Sequence, residues 1–259
     1  VLVGCLVLWL LPWQGKQAAS FAVFRLPSNP FISLPKPKRS SAHLRWVMLY
    51  ASGTVVLSLL AFGLQAAWYG LLWPALALLW LAAIYGHADA AAWQKQATGK
   101  HTLAVSLFAL PLRLMYRVNM AYWLRGKALS AQVTERIHVG SVLAAPDFHA
   151  VVDVCAEYPL AVMPSYYATV PMLDMVPADV AALRAAADAL HQMLQQQNQP
   201  VLVCCALGYS RSVAVVLVYL LRQGNAHDLQ AALKLLQQAR PAMVVSPANQ
   251  LQILKAAHE

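Results

Sequence analysis

Cys205 is followed six positions later by Arg211, and the chemistry those two residue types can do at that spacing is phosphoryl transfer. The stretch 200–220 reads PVLVCCALGYSRSVAVVLVYL: an apolar strand ending at Cys205, a short loop containing Gly208, and an apolar helix starting near Arg211. Backbone N–H groups in such a loop can turn inward and cradle a phosphate, and the helix N-terminus adds positive potential. That potential favours an ionised thiol, while a guanidinium can fork onto two phosphate oxygens. A nucleophile inside an anion cradle suits covalent catalysis through a cysteinyl-phosphate. With four Cys and 11 Arg in 259 residues the pair arises by chance about 0.17 times. The weight therefore falls on the preceding strand, on Gly208, and on Ser210-Arg211-Ser212 opening the helix. The alternative is a buried Cys and a helix-start Arg in an ordinary βα turn.

The elements that must position this loop lie downstream of about residue 131, where short strands alternate with helices. Strands are predicted at 137–139, at 150–155 (AVVDVC), at 166–173 and at 200–205. Val180, Leu183, Ala187, Leu190 and Leu194 fall at helical spacing within a helix over 178–197. Further helices are predicted over 212–222 (stopped by Gly224), over 227–239 (ending before Pro241), and from Ser246-Pro247 to about 258. The pattern implies an α/β fold.

CALGYSRS, residues 205–212, resembles the Cys-x5-Arg-Ser/Thr signature of the protein tyrosine phosphatase superfamily, dual-specificity branch. The similarity extends over about 131–259. ERIHVGSVLAA (135–145) resembles the family's opening strand and Gly turn, and VVDVCAEYP (151–159) its second conserved strand. PMLDMVPAD (171–179) resembles the general-acid loop, and ARPAMVVSPANQLQIL (239–254) the closing segment. The resemblance implies the cysteine-dependent phosphatase fold, a central sheet flanked by helices. It implies Cys205 as nucleophile, Arg211 as phosphate ligand, and Ala206, Leu207, Gly208, Tyr209 and Ser210 as the phosphate loop. It further implies Asp174 as general acid, 31 residues before Cys205, and Ser212 as the hydroxyl assisting breakdown of the intermediate. Asp179 is the neighbouring acid, but it starts a helix and reads as an N-terminal charge partner. Asp153 and Glu157 become structural hydrogen-bonding groups, and Arg240 either a substrate contact or a helix C-terminal cap. Several members carry a resolving Cys matching Cys155, which makes a Cys155–Cys205 disulfide under oxidation a candidate redox device; the alternative is a small buried apolar residue. One departure stands out: the family usually has His before the nucleophile, and this chain has Cys204.

The first half differs in kind. The chain is 60% hydrophobic and 11% charged, with a net charge of +9, whereas a soluble domain is about 25% charged. Residues 1–130 hold twelve Lys and Arg against one acid, Asp89; residues 131–259 hold seven against nine acids. Trp46–Leu64 and Trp68–Tyr85 are charge-free runs of 19 and 18 residues separated by Gln65, Ala66 and Ala67, a hairpin of spans with interfacial Trp and Tyr. Lys36, Lys38, Arg39 and Arg45 precede it and Lys95 and Lys100 follow, so positive-inside logic puts both ends in the cytoplasm. Residues 14–45 read as a polar linker. Residues 102–124 contain Pro111, Arg113 and Arg117, and an interfacial or broken helix is expected. Val1–Trp13 reads as the tail of a truncated span, with further sequence expected upstream. Solvated or interfacial positions are expected for His43, His87 and His101.

Positive charges that flank apolar runs argue against a nucleic-acid partner. Four cysteines (Cys5, Cys155, Cys204, Cys205) without CxxC spacing offer no zinc site, and neither metal nor cofactor is expected. Membrane region 1–130 and catalytic region 131–259 thus suggest a membrane-anchored, cytoplasm-facing dual-specificity phosphatase of a bacterial inner-membrane type. Some bacterial members carry a type 2 phosphatidic acid phosphatase domain ahead of the module; its motifs are missing here. Phosphotyrosine or phosphoserine/threonine protein is the expected substrate. A phospholipid monophosphate such as phosphatidylglycerophosphate is the alternative, and a phospho-binding pseudophosphatase is a third reading. The loop lacks Lys, which disfavours polyphosphorylated inositol.

Overall fold

The computed structural model describes residues 40–64 and 66–258. The expected span at 1–13, Cys5, and the linker cations Lys36, Lys38 and Arg39 lie outside the described residues. Five strands form one sheet in the order β1-β2-β5-β3-β4. They are β1 (Ser130–Thr134), β2 (Ile137–Ser141), β3 (Ala150–Cys155), β4 (Tyr166–Met172) and β5 (Val201–Cys205). β1 runs antiparallel to β2 at the edge, and β2, β5, β3 and β4 are mutually parallel. Central parallel strands are covered on both faces and so read as continuous apolar runs. This is why β3 and β5 were legible, while the polar edge strand β1 (SAQVT) was not.

One face of the sheet packs on four helices: α5 (Val180–Gln196), α6 (Arg211–Arg222), α7 (Leu229–Ala239) and α8 (Pro247–His258). Asp179 caps α5, its carboxylate accepting from the N–H groups of Ala181 and Ala182 at 3.0 and 3.3 Å. Helix α6 is buried on nearly every side, from Arg211 to Val218 and again at Leu220. The other face buries Val151, Cys155, Leu202 and Cys204 with Met120 and Leu124. Strand alternation thereby sends Cys204 and Cys205 to opposite faces.

Upstream, α1 (Ser41–Gly63) and α2 (Leu72–His87) form the hairpin, joined by a 3-10 turn at Ala66–Leu71. Ser41–Gly63 and Trp68–His87, the second taking in the end of the 3-10 turn, are long and apolar enough to cross a membrane. Thr54 Oγ1 donates across the pair to the carbonyl of Ala75 at 3.2 Å. The expected helix over 102–124 is two: α3 (Leu103–Phe108) and α4 (Leu110–Leu124), broken at Ala109 ahead of Pro111.

A third apolar cluster joins the halves. Leu81, Ile84 and Tyr85 of α2, with Trp93 and Val105, pack on Ala156, Leu173 and Val176. Here the solvated or interfacial reading is corrected for His101 and His43 and stands for His87. His101 is buried, its Nε2 2.9 Å from the Ala156 carbonyl and its ring 5.7 Å from Trp93. Desolvation holds it down at about 4, a neutral imidazole. His43 is buried at the start of α1, where it hydrogen-bonds Ser40; His87 is exposed. Lys95, counted above as a topology signal, is also buried: its ammonium pairs with Asp153 at 2.6 Å and donates to the carbonyls of Cys155 (2.6 Å) and Tyr158 (2.7 Å).

Candidate active site

Cys205 ends β5 in the middle of the sheet, and α6 starts six residues later, so the 205–211 loop sits where a strand hands over to a helix N-terminus. The Gly208 N–H donates to Cys205 Sγ at 3.3 Å, and Ser212 Oγ lies 3.4 Å from the same sulfur. Gly208 has φ +75°, and a Cβ there would stand 2.3 Å from the Gly140 carbonyl carbon. A side chain is barred both by the left-handed backbone and by the end of β2. Ser210 offers no side-chain cap to α6. Three outer contacts fix the loop. Ser141 Oγ donates to the Ala206 carbonyl at 2.5 Å, Arg240 Nη2 donates to the Leu207 carbonyl at 3.0 Å, and the Val244 N–H donates to the Tyr209 carbonyl at 2.7 Å. Arg240 also donates to the Ala128 carbonyl at 2.6 Å, with its guanidinium 4.8 Å from the Tyr209 ring centroid. Its guanidinium therefore braces the loop from behind, while its backbone N–H caps α7 on the Leu236 carbonyl at 2.7 Å, the second of the sequence alternatives.

Arg211 is buried and forked onto Glu157, Nη1 to Oε2 at 2.8 Å and Nη2 to Oε1 at 2.5 Å. Nη1 also donates to the Met172 carbonyl at 2.8 Å, and Nε lies 3.3 Å from Asp174 Oδ1. The two carboxylates around this guanidinium are pushed apart. Burial raises Glu157, but Arg211 overrides it and holds the group below the usual carboxylate range. Asp174 is raised, by burial first and by Glu157 as well, with Arg211 opposing. The two carboxyl groups are thus driven in opposite directions by their shared guanidinium and their different burial.

Cys205, Gly208, Arg211, Ser212 and Asp174 are thus brought together, with Ala206, Leu207, Tyr209 and Ser210 completing the loop. Cys155 is not part of this group. It lies buried on the opposite face beside Cys204, and desolvation pushes both thiols up. Asp153, a buried acid inside an apolar strand, holds the chain together: it pairs with Lys95 and accepts from the Cys155 N–H and the Tyr167 hydroxyl, both at 2.9 Å. Sequence reasoning missed Lys95, the Arg211 clamp formed by Glu157, and Ser141. An acid at an inward strand position demands a counterion, and between Trp46 and Leu112 the only Lys or Arg are Lys95 and Lys100. Among the described residues no cluster of His, Cys, Asp and Glu has metal-binding geometry.

Residues 132–259 match the family model described as dual specificity phosphatase, catalytic domain. Similar solved structures include human DUSP28, at 24% identity over 50% of this chain and 93% of that one, TM-score 0.45. A mouse dual specificity phosphatase complexed with zinc tungstate gives 25% identity over 51% and 89%, TM-score 0.46. PTPMT1 in complex with PI(5)P gives 17% over 50% and 95%, TM-score 0.41. No curated protein matches the chain.

Proposed function

We propose that this chain, whose residues 132–259 carry a dual specificity phosphatase catalytic domain, hydrolyses phosphomonoesters through a cysteinyl-phosphate on Cys205, with phosphotyrosine and phosphoserine/threonine proteins as substrates. The observation that carries this reading is the convergence on one loop of a sulfur, an inward N–H, a hydroxyl and a clamped guanidinium beside a raised carboxyl. Cys205 Sγ attacks phosphorus, and the ester oxygen leaves with the proton of Asp174. Loop N–H groups and Arg211 hold the phosphoryl oxygens, Glu157 keeping the guanidinium aimed. Water then attacks phosphorus while the Asp174 carboxylate takes one of its protons, the S–P bond breaks to release inorganic phosphate, and Ser212 Oγ donates a hydrogen bond to the departing thiolate.

Asp174 gives the test. Asp174→Asn is expected to slow alkyl phosphate hydrolysis on the order of 10²-fold and aryl phosphates with good leaving groups far less. Catalysis needs the protonated carboxyl, which exists below its folded pKa. A raised pKa carries activity above the ordinary aspartate range, and the rate falls as pH rises through it. The basic limb of kcat for alkyl phosphates should flatten in Asp174→Asn. Equal losses on both substrate classes, with the limb unchanged, would remove Asp174 from the role.

A lipid phosphomonoester is the second reading. It is favoured by the hydrogen bonds that seat the Asp174–Met175 turn on the feet of the hairpin. A panel of phosphopeptides and phospholipid monophosphate vesicles, given to the full chain, separates the two.

The hairpin is read as two spans, its outward faces lined by Met48, Val55, Leu59, Phe62, Trp73 and Leu79. Leu103 and Leu107 on α3 and Leu110, Leu114, Val118 and Tyr122 on α4 are exposed apolar residues at near-helical spacing, suited to lie in the headgroup layer. With Lys95 buried, exposed Arg45 and Lys100 carry the positive-inside argument for a cytoplasmic catalytic half. Topology reporters after Lys100 and at Glu259 should read cytoplasmic, and one at Ala66 should read the opposite side. An external signal at Glu259 overturns this orientation.

Cys155 is proposed as the resolving thiol. From its face of β3, reaching Cys205 requires the two strand ends to turn toward each other. Peptide mapping after mild peroxide decides: a 155–205 linked peptide, with poorer thiol rescue in Cys155→Ser, supports the role, and rescue equal to wild type without that peptide leaves Cys155 as core.

A further inference from the structure

The turn that carries Asp174 is held from outside the catalytic half. The Tyr85 hydroxyl donates to the Asp174 carbonyl at 3.0 Å, and Trp46 Nε1 donates to the Met175 carbonyl at 3.2 Å. These are consecutive carbonyls, gripped by one side chain from each helix of the hairpin. Met175 has φ +60°, a left-handed backbone that a non-glycine residue adopts only when its surroundings impose it. Its side chain is 62% exposed, so side-chain burial does not impose the conformation. The main-chain bond to Trp46 and the burial of the flanking residues, Leu173 and Val176, against Leu81 and Ile84 do. The donors are themselves fixed: Trp46, Tyr50 and Tyr85 form a ring cluster with centroids 5.4–6.3 Å apart.

We propose that Trp46 and Tyr85 are positioning residues for the Asp174 carboxyl, so that the hairpin sets proton delivery in the catalytic half. The proposal rests on the reading of Asp174 as general acid. A free acid loop samples many geometries, and a carboxyl off its line to the leaving oxygen donates poorly. Two hydrogen bonds on adjacent carbonyls leave the Asp174 side chain little freedom beyond its own rotamers. The contact also makes the catalytic half depend on the upstream half for rate as well as for location.

The test uses the full chain in detergent or bilayer, with Tyr85→Phe, Trp46→Phe and their combination, each on an alkyl phosphate and on a nitrophenyl phosphate. Phe at 85 keeps the ring in its cluster and removes the hydroxyl, which meets Tyr50 as well as the Asp174 carbonyl. Tyr85→Phe is expected to lower kcat on the alkyl phosphate about 5-fold, with KM unchanged and the nitrophenyl rate within about 2-fold. The double variant should lose more. Placed in an Asp174→Asn background, Tyr85→Phe should cost nothing further, since the group it positions is gone. A merely structural lesion would lower both substrates alike and would add to Asp174→Asn. If Asp174→Asn discriminates between the substrates while Tyr85→Phe and the double variant match wild type or lose equally on both, the positioning role is wrong and the acid stands. If Asp174→Asn itself shows no discrimination, the acid assignment falls, and the positioning role falls with it.

Discussion

Cys205→Ser is expected to leave no measurable turnover of any phosphomonoester, a loss on the order of 10⁴-fold or more. A serine hydroxyl in the same loop keeps the Gly208 N–H and Arg211 but is a far weaker nucleophile than a thiol, so binding survives and chemistry stops. Cys204→Ser should retain substantial activity: its thiol packs on the far face of the sheet with Val151, Leu202 and Cys155, and burial pushes it up. Arg211→Lys should lose on the order of 10²-fold, because an ammonium cannot fork onto two phosphoryl oxygens and onto the Glu157 carboxylate as the guanidinium does. Rates on a nitrophenyl phosphate for the three variants check the set. An inactive Cys204→Ser beside an active Cys205→Ser would move the nucleophile by one residue and undo the loop assignment.

Lys95→Met should be the most destabilising single change outside that loop, about 3–5 kcal/mol. Lys95 and Asp153 are both fully buried and 2.6 Å apart. The methionine fills the volume but strands a carboxylate inside the sheet. Burial lowers the Lys95 pKa, and Asp153 more than restores it, so the net direction is up. Its stabilising contribution is therefore complete below the ordinary lysine value, about 10.4, and fades only as pH rises through the folded value. The lesion should show at any neutral pH. Lys95→Met/Asp153→Asn should recover part of the loss, because the charge is gone while the amide oxygen can still accept from the Cys155 N–H and the amide NH2 can donate to the Tyr167 hydroxyl. Thermal unfolding of the full chain reads all three proteins. A Lys95→Met variant as stable as wild type would mean the pair contributes little. A fragment starting near 131 meets the same problem, since it loses Lys95 and uncovers Ala156, Leu173 and Val176.

What was legible in the sequence was local. The 205–212 segment declares itself because its strand, turn glycine and helix start are contiguous, and β3 and β5 because doubly covered parallel strands are apolar throughout. Asp174 needed the family resemblance, since one aspartate beside Met175 and Val176 has no periodicity to mark it. What was not legible crosses long separations. The Tyr85–Asp174 and Trp46–Met175 bonds span 89 and 129 residues. At that distance an aromatic at the end of an apolar run looks the same whether it meets headgroups or a protein loop. Lys95 reads as a flanking charge until the fold shows what Asp153 pairs with. Arg240 offered two plausible local roles, of which the structure shows the helix cap and adds a brace on the Leu207 carbonyl, which arrives from another element. Glu157 was expected to be structural, and the structure gives it a direct grip on Arg211 at the start of α6.

The central claim is a phosphoryl group carried on Cys205 Sγ. The most direct measurement is acid-quenched trapping of the full chain during turnover of a labelled phosphomonoester, followed by peptide mapping of the label. Ser212→Ala is the variant to use, since removing the hydroxyl beside the sulfur should slow breakdown of the intermediate more than its formation. The account predicts a thiol-linked phosphate on the peptide containing Cys205, more abundant in Ser212→Ala than in wild type and missing from Cys205→Ser. Label on Cys204, or turnover by Cys205→Ser at the wild-type rate with no label on any cysteine, would contradict it.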